Sequence, residues 1–222
     1  RLRDSSTREK IRDEVRAGLG GVPPMWDTWI ISDVGSDINK SLVGRSIADI
    51  AAERGVEPAE AALQLEYEET GDVSAVVHNR FEKDVRFFIY HPLGMVGSDG
   101  NAISPTGRRG KEKLHPRFYG TYPRILGRYV REESMLSLET AIRKMTGQPA
   151  DRLTLKSRGR VEEGLIADLA VFDPDTIIDT ATFDEPHQIA VGMHHVFVAG
   201  QSVVHEGKHT QARPGQVLRR GR

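Results

Sequence analysis

The chain has no cysteine, almost no net charge and no long apolar run, and each absence removes a class of answers. Without cysteine it supplies neither a disulfide framework nor a thiolate metal ligand. A formal net charge of −1 over 222 residues gives no electrostatic case for nucleic acid or an anionic membrane surface. No apolar stretch reaches the length that spans a bilayer, and the opening residues lack the pattern of a signal peptide. A soluble, cytoplasmic protein is the expectation, with no nucleic-acid or membrane partner. Internal repeats and low-complexity tracts are missing too. The first residue is Arg1 rather than methionine, and Arg1-Leu2-Arg3-Asp4 reads as mid-chain sequence. A piece of a longer polypeptide is therefore expected.

What is present falls into three regions. In the first, residues 1–71, Ser5, Ser6 or Thr7 is positioned to cap a helix with Ile11, Val15 and Leu19 on its apolar face, ended by Gly20-Gly21. Trp26 to Ile31 reads as β. Ser46 is placed to cap a helix carrying Ile47, Ile50 and Ala51, with Gly55 after its end. A further helix from Glu57 places Ala59, Ala62, Leu63 and Tyr67 on one side. In the second region, 72–152, Val73–Val77 and Gly94–Gly97 read as strands, the former apolar enough to be covered on both faces. Helix faces follow at Val85, Phe88 and Ile89, at Ile125, Leu126, Tyr129 and Val130, and at Leu138, Ala141, Ile142 and Met145. Gly147 lies past the last of these, and Pro149 blocks its continuation. This alternation is that of the end of a (β/α) barrel, although two strands close nothing. In the third region, 153–222, helical periodicity gives way to β runs at 167–172, 194–198 and 201–205, with Gly200 as a hairpin turn.

The most informative residues are Met95-Val96-Gly97-Ser98-Asp99-Gly100, an apolar run that delivers one carboxylate and stops on glycine. Two readings stand side by side: an Asp-Gly turn closing a strand, or a functional carboxylate at the carboxyl end of a barrel strand. Most of the eight histidines do not offer metal-ligand spacing. His194-His195 are neighbours in a β run and point to opposite faces. His187, His205 and His209 read as surface residues of the tail, and His91-Pro92 as a turn. Arg117 and Arg124 are either a guanidinium fork for a substrate carboxylate or ordinary solvated arginines. The loop bearing Arg108, Arg109, Lys111 and Lys113 reads as solvated.

The segment from Asn101-Ala102-Ile103-Ser104 through His115-Pro116-Arg117-Phe118-Tyr119-Gly120-Thr121-Tyr122-Pro123-Arg124 resembles the N-acyl-D-amino-acid deacylases (D-aminoacylases), a branch of the metal-dependent amidohydrolase superfamily. The resemblance continues in Leu138-Glu139-Thr140-Ala141-Ile142-Arg143-Lys144-Met145-Thr146-Gly147 and in Ala167-Asp168-Leu169-Ala170-Val171-Phe172-Asp173-Pro174. From about Val73 to the end, nearly every block has a counterpart.

The resemblance implies an α/β fold, the C-terminal part of a (β/α)8 TIM-type barrel followed by part of a small β-sandwich. Residues 1–71 would be an inserted lobe near the site mouth, 72–152 the last two βα units, and 153–222 the sandwich segment. It implies that Asp99 is a zinc ligand and the general base and acid of amide hydrolysis. His115, which matches a histidine of the family's His-Pro-Arg motif, is implied to face substrate; Arg117, Asn79 and His78 are further candidate substrate contacts, His78 standing where the family pattern is apolar or aromatic and reading also as a structural histidine. One or two Zn2+ ions are implied, their other ligands lying upstream of residue 1: a His-x-His pair, then a cysteine or carboxylated lysine and two histidines. The expected partners are an N-acyl amino acid substrate and the N-terminal half of the same polypeptide, so the isolated piece is expected to be inactive. The alternatives are a relative acting on a cyclic amide or N-acyl-D-glutamate, and a metal-free barrel serving as a scaffold.

Overall fold

The computed structural model describes residues 2–112 and 114–219, so Lys113 of the basic loop lies outside the described residues. The chain divides into two compact units, Arg1–Phe81 with Glu112–Leu114, and Glu82–Lys111 with His115–Arg222.

The first unit opens with α1 (Ser5–Ala17), whose cap is Asp4 rather than one of the three hydroxyl residues after it. The Asp4 carboxylate accepts the Thr7 N–H at 2.8 Å and the Ser6 hydroxyl at 2.8 Å. A carboxylate is the stronger acceptor for the orphan donors of a first turn. The helix ends at Gly18 instead of Gly20-Gly21, and Leu19, expected on its apolar face, is exposed. A single 3-10 turn at Trp26–Thr28 delays the strand, so β1 is Trp29–Val34.

Strand β2 (Val73–Val77) forms as expected but pairs antiparallel with β1, Trp29 opposite Val77 and Val34 opposite Val73. Antiparallel pairing on this edge departs from the parallel neighbours expected of a barrel strand, which are not seen among the described residues. Among the described residues β1 is the segment that supplies β2 with backbone donors and acceptors. Ser74 and Ala75 are exposed although, as neighbours in a strand, they point to opposite faces, so β2 is not covered on both faces as its apolar run led one to expect. Helix α2 (Ile47–Arg54) starts where Ser46 Oγ accepts the Asp49 N–H at 3.0 Å and ends on the left-handed Gly55, as its sequence predicts. Helix α3 (Pro58–Glu68) buries Ala59, Ala61, Leu63 and Leu65 and leaves Tyr67 outward, against expectation. Ile31, Val34, Leu42, Ile47, Ile50 and Leu65 make the core of this unit.

The second unit begins with α4 (Glu82–Tyr90), of which Ile89 packs inward while Phe88 and Val85 are exposed. Residues Gly94–Gly97 run without a ladder partner among the described residues, a second departure from the expected barrel strands. Helix α5 (Arg117–Arg124) passes directly into a π-helical segment, Ile125–Glu132. Pro123, which has no N–H, sits just before the register widens. The apolar face read from sequence is present there, with Ile125, Leu126 and Tyr129 buried. Ser137 caps α6 (Leu138–Met145). Pro149 does not stop the chain from being helical. It lies in the first turn of a separate helix, α7 (Gly147–Leu153), where a missing N–H costs nothing.

The last strands are β3 (Leu169–Phe172), β4 (Met193–Val198), β5 (Gln201–His205) and β6 (Lys208–His209), one antiparallel sheet in that order. The hairpin joining β4 and β5 turns at Ala199-Gly200, both at positive φ. Asp168 accepts the Ala199 N–H at 2.8 Å and pairs with Arg158, tying the entry of β3 to that hairpin. Asp173 accepts from Asp175 N–H and the Thr176 hydroxyl, and these bonds hold its carboxyl below the usual aspartate range. Ile125, Leu126, Tyr129, Ala141 and Ile177 form the core of the second unit. No helix of the described residues is long and apolar enough to cross a membrane.

Candidate active site

Asp99 sits at φ 48°, in the left-handed region that aspartate tolerates better than most residues. Its side chain is 84% exposed and its Oδ2 lies 3.0 Å from Nη2 of Arg117, the first residue of α5. Gly100 follows because nothing larger fits. A Cβ there would stand 2.9 Å from the Phe118 ring and 3.1 Å from the Phe118 Cα. The glycine lets the turn carrying Asp99 press against the start of α5.

The start of α5 is itself held in place. The Arg117 N–H donates to His115 Nδ1 at 3.0 Å, and the Arg117 guanidinium lies 5.8 Å from the Phe118 ring centroid. Arg117 Nε is buried and makes no hydrogen bond among the described residues. Thus Asp99, Arg117 and His115, singled out separately in the sequence, form one connected group. His115 acts there through the backbone of Arg117, and its ring meets Phe183 edge-on at 5.0 Å.

The same helix carries residues that the sequence reading missed. Tyr119 Oη lies 3.0 Å from His187 Nδ1 and donates to the Ile103 carbonyl at 3.3 Å. Burial raises the Tyr119 phenol above its usual range. Arg124 is committed to Asp179 at 2.9 Å and is not a fork waiting for a ligand. Asp179, Phe183 and His187 therefore return the segment after α7 to α5, and His187 is half-buried rather than a surface residue of the tail.

His78 and Asn79 belong to the first unit, at the end of β2, where the His78 N–H donates to the Thr28 carbonyl at 2.9 Å. Asp99, His115 and Arg117 belong to the second. His195 lies near Phe197 and His205, at 6.4 and 5.0 Å between ring centroids. Among the described residues no cluster of three or more His, Cys, Asp or Glu is arranged to hold a metal. A cavity of about 510 Å3 opens beside α6 and α7, lined among others by Arg143, Asp151 and Arg160, and none of the sequence-predicted site residues lines it.

Residues 94–204, half of the chain, match the model of the amidohydrolase family. The chain belongs to the amidohydrolase family. The match begins with the segment that leads into Asp99 and runs through α5 to β5. Within the family, the chain is 40% identical to a D-aminoacylase of Alcaligenes xylosoxydans xylosoxydans over 179 residues, 81% of this chain and 34% of that protein. A solved D-aminoacylase with a binuclear metal centre, activated by one metal and attenuated by the second, matches at TM-score 0.75 and 36% identity, covering 86% of this chain and 38% of its own. The N-acyl-D-glutamate deacylase of Bordetella bronchiseptica, solved with zinc and a phosphonate mimic of the tetrahedral intermediate, matches at TM-score 0.71 and 36% identity over 88% of this chain and 38% of its own. This amidohydrolase chain thus has an α/β fold like that of the D-aminoacylases and spans about a third of the length of the relatives it matches.

Proposed function

We propose that the chain supplies the terminal βα units and the catalytic carboxylate of a zinc-dependent deacylase that converts N-acyl-D-amino acids to a carboxylate and a D-amino acid. In this reading residues 72–152 complete a (β/α)8 barrel, 153–222 contribute to a small β-sandwich, and 1–71 form a lobe near the site mouth. The observation that carries it is Asp99: a solvent-facing carboxylate on a left-handed turn, set against α5 inside the stretch that the family model covers.

The donor set fits one ligand of a zinc site and no more. Asp99 offers a hard oxygen donor, and the described residues bring no cluster of further ligands. The other ligands would come from the N-terminal half of the same polypeptide, so this chain alone would not hydrolyse amides. Zinc, when bound, would polarise the amide carbonyl and lower the pKa of water at the site. Asp99 Oδ would take a proton from the attacking water and return it to the leaving nitrogen. Arg117 holds the Asp99 carboxylate by its Oδ2, and a guanidinium has the donors that a substrate carboxylate would also need. His115 fixes the backbone of Arg117, and His78 and Asn79 are candidate substrate contacts of the first unit.

The similarity to an N-acyl-D-glutamate deacylase supports a second substrate within the same reading, an acidic D-amino acid. The test is a panel of N-acyl-D- and N-acyl-L-amino acids given to the full-length protein, before chelation, after chelation and after zinc is restored. Turnover of D-substrates that disappears with the metal and returns with it is expected. Zinc-independent turnover, an L-preference, or full activity from residues 1–222 alone would overturn the proposal.

A further inference from the structure

Lys144 is buried, only 3% exposed, on the inner face of α6, yet no part of the site chemistry described so far uses it. Its Nζ donates to the His91 carbonyl at 2.6 Å and to the Gly94 carbonyl at 3.0 Å. Its own carbonyl, one of the unsatisfied acceptors at the end of a helix, takes the Val96 N–H at 3.1 Å. One residue therefore grips the segment 91–96 at three points. Gln148 of α7 adds a fourth, donating to the Pro92 carbonyl at 3.0 Å.

These contacts sit where the chain has little other support. Residues 94–97 have no ladder partner among the described residues. From the other side they press on the end of α4, where a Cβ at Gly94 would meet the Phe88 carbonyl oxygen at 2.1 Å. Val96 packs on the core of the second unit, and Asp99 follows three residues later. Burial keeps the Lys144 ammonium below the usual lysine range, so its site is costly and needs its carbonyl partners.

We infer that Lys144 is a positioning residue for Asp99: by clamping His91, Gly94 and Val96 it sets where the following turn presents the carboxylate. The inference rests on the reading of Asp99 as zinc ligand and general base. A ligand held by supporting contacts loses metal affinity and rate when those contacts go, typically about 10–100-fold.

The experiment compares Lys144→Met, Asp99→Asn and the double variant in the full-length, zinc-loaded protein. Turnover and KM are measured per folded molecule, zinc affinity by competition with a chelator, and thermal stability alongside. Lys144→Met is expected to lower kcat about 10–100-fold with KM within about twofold, and to weaken zinc about tenfold. In the double variant the loss of zinc affinity should be no greater than in Asp99→Asn alone, because both changes act through one carboxylate. If Lys144→Met folds poorly, Gln148→Leu tests the same clamp, with a kcat loss of about threefold expected. A fall in thermal stability with kcat and zinc affinity unchanged, or losses of zinc affinity that multiply in the double variant, would show a structural role only and overturn the inference. Wild-type turnover and zinc affinity in Asp99→Asn would instead remove the Asp99 reading, and the inference with it.

Discussion

At the scale of single residues, the chain places carboxylates where hydrogen-bond donors converge. Glu69 is the clearest case, 4% exposed, accepting the Ser36 N–H at 2.7 Å, the Ser36 hydroxyl at 2.6 Å and the Asn39 amide at 2.6 Å. The Ser36 hydroxyl and then the Asn39 amide hold its carboxyl below the usual glutamate range against the opposing effect of burial. A carboxyl with a depressed pKa in the folded state stabilises that state above the unfolded value, about 4.3, and the contribution fades as pH falls through the folded value. Urea unfolding followed by the fluorescence of Trp26 and Trp29, which both lie in the first unit, should therefore weaken below about pH 4.3. Glu69→Gln should be less stable at neutral pH and should flatten that acid dependence. An unchanged acid limb in Glu69→Gln would assign the dependence to other groups. Asp99 contrasts with this group: it is exposed, and it pairs with the Arg117 guanidinium.

At the scale of elements, what could be read in advance was whatever one element settles for itself. The Ser46 cap, the Gly55 stop and the buried stripe of Ile125, Leu126 and Tyr129 are all local signals, and they were legible. Strand pairing was not, because β2 carries the same apolar run whether its neighbour is parallel or antiparallel. Nor was the clamp on residues 91–96, whose acceptors are backbone carbonyls that leave no mark in the side-chain pattern. The same limit hid the approach of the π-helical segment to Ile177 and Ile178. Gly127 permits it: a Cβ there would lie 2.3 Å from the Ile178 Cδ1 and 2.5 Å from the Ile177 carbonyl oxygen. Gly127→Ala is expected to destabilise the second unit by about 1–3 kcal/mol, although alanine is the better helix former. Chemical denaturation checks this, and a stabilised variant would mean that the contact is not tight.

At the scale of the whole chain, there are two units with separate cores, and the residues proposed for the site fall in both. His78 and Asn79 belong to the first unit, and Asp99, Arg117 and His115 to the second. Apart from residues 112–114, the family match lies within the second unit, which carries Asp99. The group around α5 was partly legible, since Asp99, His115 and Arg117 stood out as residue types. Tyr119 and His187 did not, because their pairing joins positions far apart in sequence.

The most direct measurement is hydrolysis of an N-acyl-D-amino acid by the full-length, zinc-loaded protein carrying Asp99→Asn, which keeps the shape of the side chain and removes its capacity to take a proton. The account predicts that kcat falls by at least about a hundredfold in a protein that remains folded. Turnover equal to that of the unaltered protein would contradict it.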